Sequence, residues 1–125
     1  MTTGSTHWAL AGGHIPAESN GPEPARTSRD VLHLLNTGDT EASVELLIYY
    51  ADREPMGPYR FKVPARRVKV VRFNDLIDPE AIPLATDYAC TLTANLPLVV
   101  QYTRLDTSHN PQATESTLAA YPIGG

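Results

Sequence analysis

One cysteine in 125 residues leaves no internal disulfide framework, and Cys90 falls in the alternation Tyr88, Cys90, Leu92, where it reads as a small buried hydrophobe. Long apolar runs are also missing. The richest clusters, 96–100 and 44–50, fall well short of the roughly 18–20 consecutive apolar residues of a membrane-spanning helix. Residues 1–8 contain neither a basic stretch nor an apolar core of the kind a secretory leader needs, so a cytoplasmic protein is expected. Helical periodicity is equally scarce: eleven prolines and eight glycines interrupt the chain before any segment longer than about a dozen residues can hold a 3.6-residue repeat.

Signatures of catalysis are lacking as well. His7, His14, His33 and His109 show no HxH, HExxH or HxxxH spacing, and one cysteine cannot build a thiolate cage, so neither metal nor cofactor is expected. His33, between Leu32 and Leu34, reads as structural. No nucleophile elbow, phosphate-binding loop or dinucleotide fingerprint occurs; Gly12-Gly13, ahead of His14 and Pro16, reads as a turn. Asp52 with Glu54, and Asp75 with Asp78, lie where turns favour aspartate for backbone hydrogen bonding, which accounts for them without acid–base chemistry. The expectation is a protein that is not an enzyme. Fourteen acidic against ten basic residues, net charge -4, oppose binding to nucleic acid or anionic membrane at long range. The basic residues are nonetheless gathered, with Arg60, Lys62, Arg66, Arg67, Lys69 and Arg72 inside thirteen positions.

What is present is a strand pattern. A 42% hydrophobic composition supports one folded core, and residues 1–125 are read as a single domain. Segment 43–51 alternates Val44, Leu46, Ile48 and Tyr50 with Ser43, Glu45, Leu47 and Tyr49; Tyr59, Phe61 and Val63 against Arg60 and Lys62 repeat the period of two. Segments 66–73, 87–94 and 97–105 are similarly rich in Val, Leu, Thr and Tyr, and 8–11, 30–35 and 117–121 are further strands. Tight turns are expected at 36–39, 54–58 and 95–97, giving antiparallel neighbours. The fold class is therefore all-β: an antiparallel, jelly-roll-like β-sandwich of about eight short strands. One helical turn is expected at 74–78, capped by Asn74 and stopped by Pro79. Segment 97–105 has apolar residues on both alternations, with Val99 opposite Leu98 and Val100, so a second subunit is expected to cover its outer side. The polar tail 107–115 reads as a mobile loop.

The candidate binding residues are Glu23, Glu54, Tyr59, Arg66, Arg67, Arg72, Asn74 and Asp75. Glu23 is presented by the rigid, polar stretch 20–24; the others are charged, amide or aromatic groups in or beside turns, where recognition residues concentrate. They would dock a partner or hold a small polar ligand such as a sugar. In the competing reading Arg66 and Arg67 pair with Glu54, Asp75 or Asp87 and only close the sandwich or a subunit contact.

The segments WALAGGHIP at 8–16, NGPEP at 20–24, NTGD at 36–39, IYYADREPMGPYRFKVPARR at 48–67, VRFNDL at 71–76 and VVQYTRLD at 99–106 together resemble the sensory rhodopsin transducer family. The resemblance spans about residues 8–106 and weakens over 107–125. It implies a β-sandwich protomer, a homotetramer, and signalling by association with the cytoplasmic side of a seven-helix sensory rhodopsin or related receptor, without catalysis. Family architecture is similar to that of carbohydrate-binding sandwiches, which keeps the small-ligand alternative beside the adaptor reading; nucleic acid comes last.

Overall fold

A computed structural model describes residues 3–23 and 26–123 of the chain; Pro24, the last residue of NGPEP, lies outside the described residues. Alternation decides the architecture. In β3 (Ala42–Tyr50), Ala42, Val44, Leu46 and Ile48 are buried while Ser43, Glu45 and Tyr49 face solvent. Antiparallel β4 (Met56–Val63) buries Tyr59 and Val63 and exposes Arg60 and Lys62. The other strands are β1 (Ser5–His14), β2 (Arg29–Asn36), β5 (Arg67–Arg72), β6 (Asp87–Leu105), β7 (Ser116–Leu118) and β8 (Tyr121–Pro122). The eight are antiparallel throughout, and the all-β expectation holds.

Two sheets arise because β6, 19 residues long, belongs to both. Its first half lies between β3 and β1, giving the order β4-β3-β6-β1-β8; its second half lies between β2 and β7, giving β5-β2-β6-β7. This corrects the turn expected at 95–97. Proline has no N–H for a ladder, and Pro97 falls where β6 leaves one set of partners, Ala94 opposite Val44, and takes up the next, Val99 opposite Leu35. Asn95 supports the crossing by accepting the Ser43 N–H on its side-chain oxygen at 2.8 Å. Two short strands on the sequence are one bent strand in the molecule.

The core between the sheets is built from Leu32, Leu34, Leu46, Ile48, Leu98, Tyr59, Tyr102 and Phe73, all at most 1% exposed. Asn36, also fully buried, closes one end: its amide nitrogen donates to the carbonyls of Thr40 (2.8 Å) and Val63 (3.1 Å), and its oxygen accepts from Gly38 N–H (2.9 Å). NTGD is thus a fastening between the β2–β3 turn and the end of β4. At 74–78 the expected capped turn is a 3-10 turn, Phe73–Asp75, and Asn74 caps nothing. Because the turn begins at Phe73, Asn74 sits inside it and donates instead to the Ser28 carbonyl at 3.0 Å. Segment 107–115 is tied back to the loop before β2: Arg26 donates to the carbonyls of Pro111 and Ala113, and Thr107 Oγ1 donates to the Arg26 carbonyl.

Cys90 is 4% exposed, and burial pushes its thiol from 9.0 up to about 12. Native protein should therefore react with a disulfide reagent at neutral pH far more slowly than protein in denaturant; comparable rates would refute the burial. A pKa raised by folding gives stability that is complete below the unfolded value and is lost as pH rises through the folded one. The unfolding free energy from denaturant titrations should hold to about pH 9, then fall by about 1.4 kcal/mol per pH unit from Cys90. Above about pH 10 the fall should steepen, because burial and the Asp30 charge also raise the Tyr88 phenol. A flat profile to pH 11 would contradict both.

Candidate functional site

β4 and β5 are consecutive strands that do not pair with each other: β4 pairs with β3 at the edge of the first sheet, β5 with β2 at the edge of the second. Connection 64–66 holds the two edges apart at one end, and Arg66, at φ 55°, makes the corner while its N–H donates to the Gly38 carbonyl at 3.1 Å. Between the edges lies a cleft of about 240 Å³ with Tyr59, Phe61, Val70, Val71 and Leu76 as its apolar part and Arg60, Lys69, Arg72, Asp75 and Asp78 as its charged part. Tyr59 is 1% exposed, and its hydroxyl donates to the Glu80 carbonyl at 2.5 Å; burial raises its pKa. Arg72 lies 3.9 Å from Asp75, a loose pairing, and Arg60 reaches Glu45 across the strand pair at 3.1 Å. Arg72 Nε and Asn74 Oδ1 are buried with no hydrogen-bond partner among the described residues.

The structure therefore brings Tyr59, Arg72 and Asp75 into one cleft with Asn74 adjoining, but not the other candidates. Glu23 is exposed in the loop between β1 and β2, and Glu54 is exposed in the bend between β3 and β4. Arg66 and Arg67 are exposed at the start of β5; the Arg67 guanidinium donates to the Arg66 carbonyl at 3.1 Å, and neither pairs with Glu54, Asp75 or Asp87. The cleft is smaller than the roughly 300–1,000 Å³ of typical small-molecule sites, and its walls are two strand edges, which favours a docked chain over an enclosed ligand. Among the described residues no three His, Cys, Asp or Glu side chains converge as metal ligands would, and no helix is long and apolar enough to cross a membrane.

A second polar cluster was missed by the sequence analysis. Asp30, fully buried, accepts from Arg104 Nε (2.8 Å), Tyr88 OH (2.7 Å) and the His14 N–H (2.8 Å). Arg104 Nη2 adds bonds to the Gly12 carbonyl (2.6 Å) and Tyr102 OH (2.8 Å). Burial works to lower the Arg104 pKa, but the bonds and charge of Asp30 outweigh it, so the guanidinium is held charged. Strands β1, β2 and β6 meet at this carboxylate. Its signal was phase: Asp30 shares the inward alternation of Leu32 and Leu34, and Arg104 that of Leu98, Val100 and Tyr102. With every oxygen engaged inside the protein, the cluster is a fastening and not a ligand site.

A family model described as Anabaena sensory rhodopsin transducer matches residues 3–122. Among solved structures the chain is similar to the Anabaena sensory rhodopsin transducer, at 54% identity and a TM-score of 0.75, over 82% of this chain and 99% of that one. It is also similar to a protein solved as Thermotoga maritima 1070, at 27% identity and a TM-score of 0.84, over 99% of both chains. No curated protein matches.

Proposed function

Because the chain belongs to the Anabaena sensory rhodopsin transducer family, we propose that it is a signalling adaptor that binds the cytoplasmic side of a sensory rhodopsin or related membrane receptor and performs no catalysis itself. The observation that carries this reading is the family match across nearly the whole described chain. Co-sedimentation tests it: the purified protein should pellet with membranes containing the host's rhodopsin-type receptor and stay in the supernatant with membranes lacking it. Equal pelleting with both would overturn the reading.

Self-association belongs to the same proposal. The outer side of the second sheet carries a cross-strand row of Val68, Leu35 and Val99, flanked by Val70, with Val68 62%, Val70 55% and Leu35 40% exposed. Val99 is only half-buried and Gln101 beside it is exposed, so the side of β6 expected to be covered is open in the protomer. An apolar sheet face of this kind suits a second copy, and a homotetramer is the assembly we propose. Replacing Val68 and Val70 together by aspartate should reduce the light-scattering mass to that of a smaller species while circular dichroism stays that of the folded chain. An unchanged mass would remove this face from the assembly.

A further inference from the structure

β5 differs from the other edge strands. β8 has only two residues and β7 three, and β4 carries Pro58, which has no N–H to offer. Short strands and proline are the usual protections of a sheet edge. β5 has neither: its six residues pair with β2 without a bulge from Arg67 to Arg72, so its alternate N–H and C=O groups point out of the sheet, away from β2, in an unbroken row. Along that edge stand four cations, Arg66, Arg67, Lys69 and Arg72, and the acidic groups near them are Asp75, 3.9 Å from Arg72, and Asp78, which lines the same cleft as Lys69 and Arg72. The alternating valines Val68 and Val70 lie on the outer face.

We infer that the β5 edge is a docking site for an extended acidic segment of a second protein, which adds to the second sheet as a further strand. Main-chain bonds would supply the pairing, and the cations would choose acidic side chains. Charge decides among occupants. A second copy would bring four more cations against these four, which opposes self-pairing. If the receptor reading holds, the same argument excludes the receptor's loops, since cytoplasmic loops of membrane proteins are enriched in Lys and Arg. The β5 edge is then the adaptor's other face, turned to a downstream acidic partner.

The probe is an end-capped eight-residue peptide alternating glutamate with valine, added to the full chain without receptor. Amide exchange at alternate residues of 67–72 should slow on binding, and affinity should fall as salt rises. The double variant Arg67→Glu, Lys69→Glu should bind about tenfold more weakly with an unchanged melting temperature. The same peptide N-methylated at alternate residues, which keeps its charge and loses the donors, should not bind the wild-type protein. Equal binding of the methylated peptide would overturn strand addition. So would capture by phosphatidylserine vesicles without peptide binding, which makes the edge a membrane contact, or edge amides already protected in the free protein and released on dilution, which makes it a contact between copies. Membrane co-sedimentation with the receptor is read separately, so failure of the peptide leaves the adaptor reading standing, and failure of the receptor leaves the peptide result standing.

Discussion

Asp30→Ala should destabilise the protein by about 3–5 kcal/mol and lower its melting temperature by about 10–20 °C. The carboxylate is fully buried, and its oxygens receive Arg104 Nε, Arg104 Nη2, Tyr88 OH and the His14 N–H. Removing it leaves a guanidinium with only the Gly12 carbonyl and Tyr102 OH, and strands the His14 amide and the Tyr88 hydroxyl. Breaking one member of a buried ion pair costs more than the pair contributes, because the desolvated partners remain. Arg104 is 24% exposed and recovers some hydration, so the lower half of the range is expected. Asp30→Asn should not rescue: whichever way the amide turns, an NH₂ replaces an oxygen that faces donors. If Asn restores wild-type stability in chemical denaturation, the charged hydrogen bonds are not what holds this end together.

The strands were legible because their periodicity is local. β3 and β4 alternate as read, since the polar side of each pleat meets water and the apolar side meets the core. What was not legible depends on long-range pairing. Asn95-Leu96-Pro97 has turn chemistry, and only a change of ladder partners makes it the middle of β6. Asn74 looks like a cap by composition, yet the turn starts one residue earlier and its amide is drawn to Ser28. The candidate residues divide in the same way. Tyr59, Arg72 and Asp75 converge because β4 and β5, adjacent in sequence, fold onto different sheets and leave their edges facing; Glu23 and Glu54 have turn signals but no strand to bring them there. Val68 and Val70 show that an apolar alternation gives a strand's faces without saying which is covered.

Phe73→Ala should cost about 3–5 kcal/mol, and the cost bears on what the RFND motif is for. Phe73 is fully buried, with its ring centroid 5.2 Å from Tyr88 at a tilted angle and 6.2 Å from Tyr102 edge-on. Those two tyrosines send their hydroxyls into the Asp30–Arg104 cluster, so one side of each phenol is fixed by hydrogen bonds and its ring packs against Phe73. The aromatic contacts add about 0.5–1.5 kcal/mol each to the area lost, and the tyrosines, pinned at their hydroxyls, cannot collapse into the space left behind. Phe73→Leu, which refills most of the volume, should recover much of the loss. A further consequence is coupling: Asp30→Ala frees the Tyr88 hydroxyl and lets its ring relax, while Tyr102 stays bonded to Arg104, so the double variant Asp30→Ala, Phe73→Ala should be less destabilised than the sum of the single ones, by at least about 0.5 kcal/mol. Denaturant midpoints of the four proteins measure this directly. Simple additivity would mean that the aromatic packing and the polar cluster hold independently, whereas sub-additivity makes RFND part of one fastening that closes the sandwich, with binding affected only through the folded fraction.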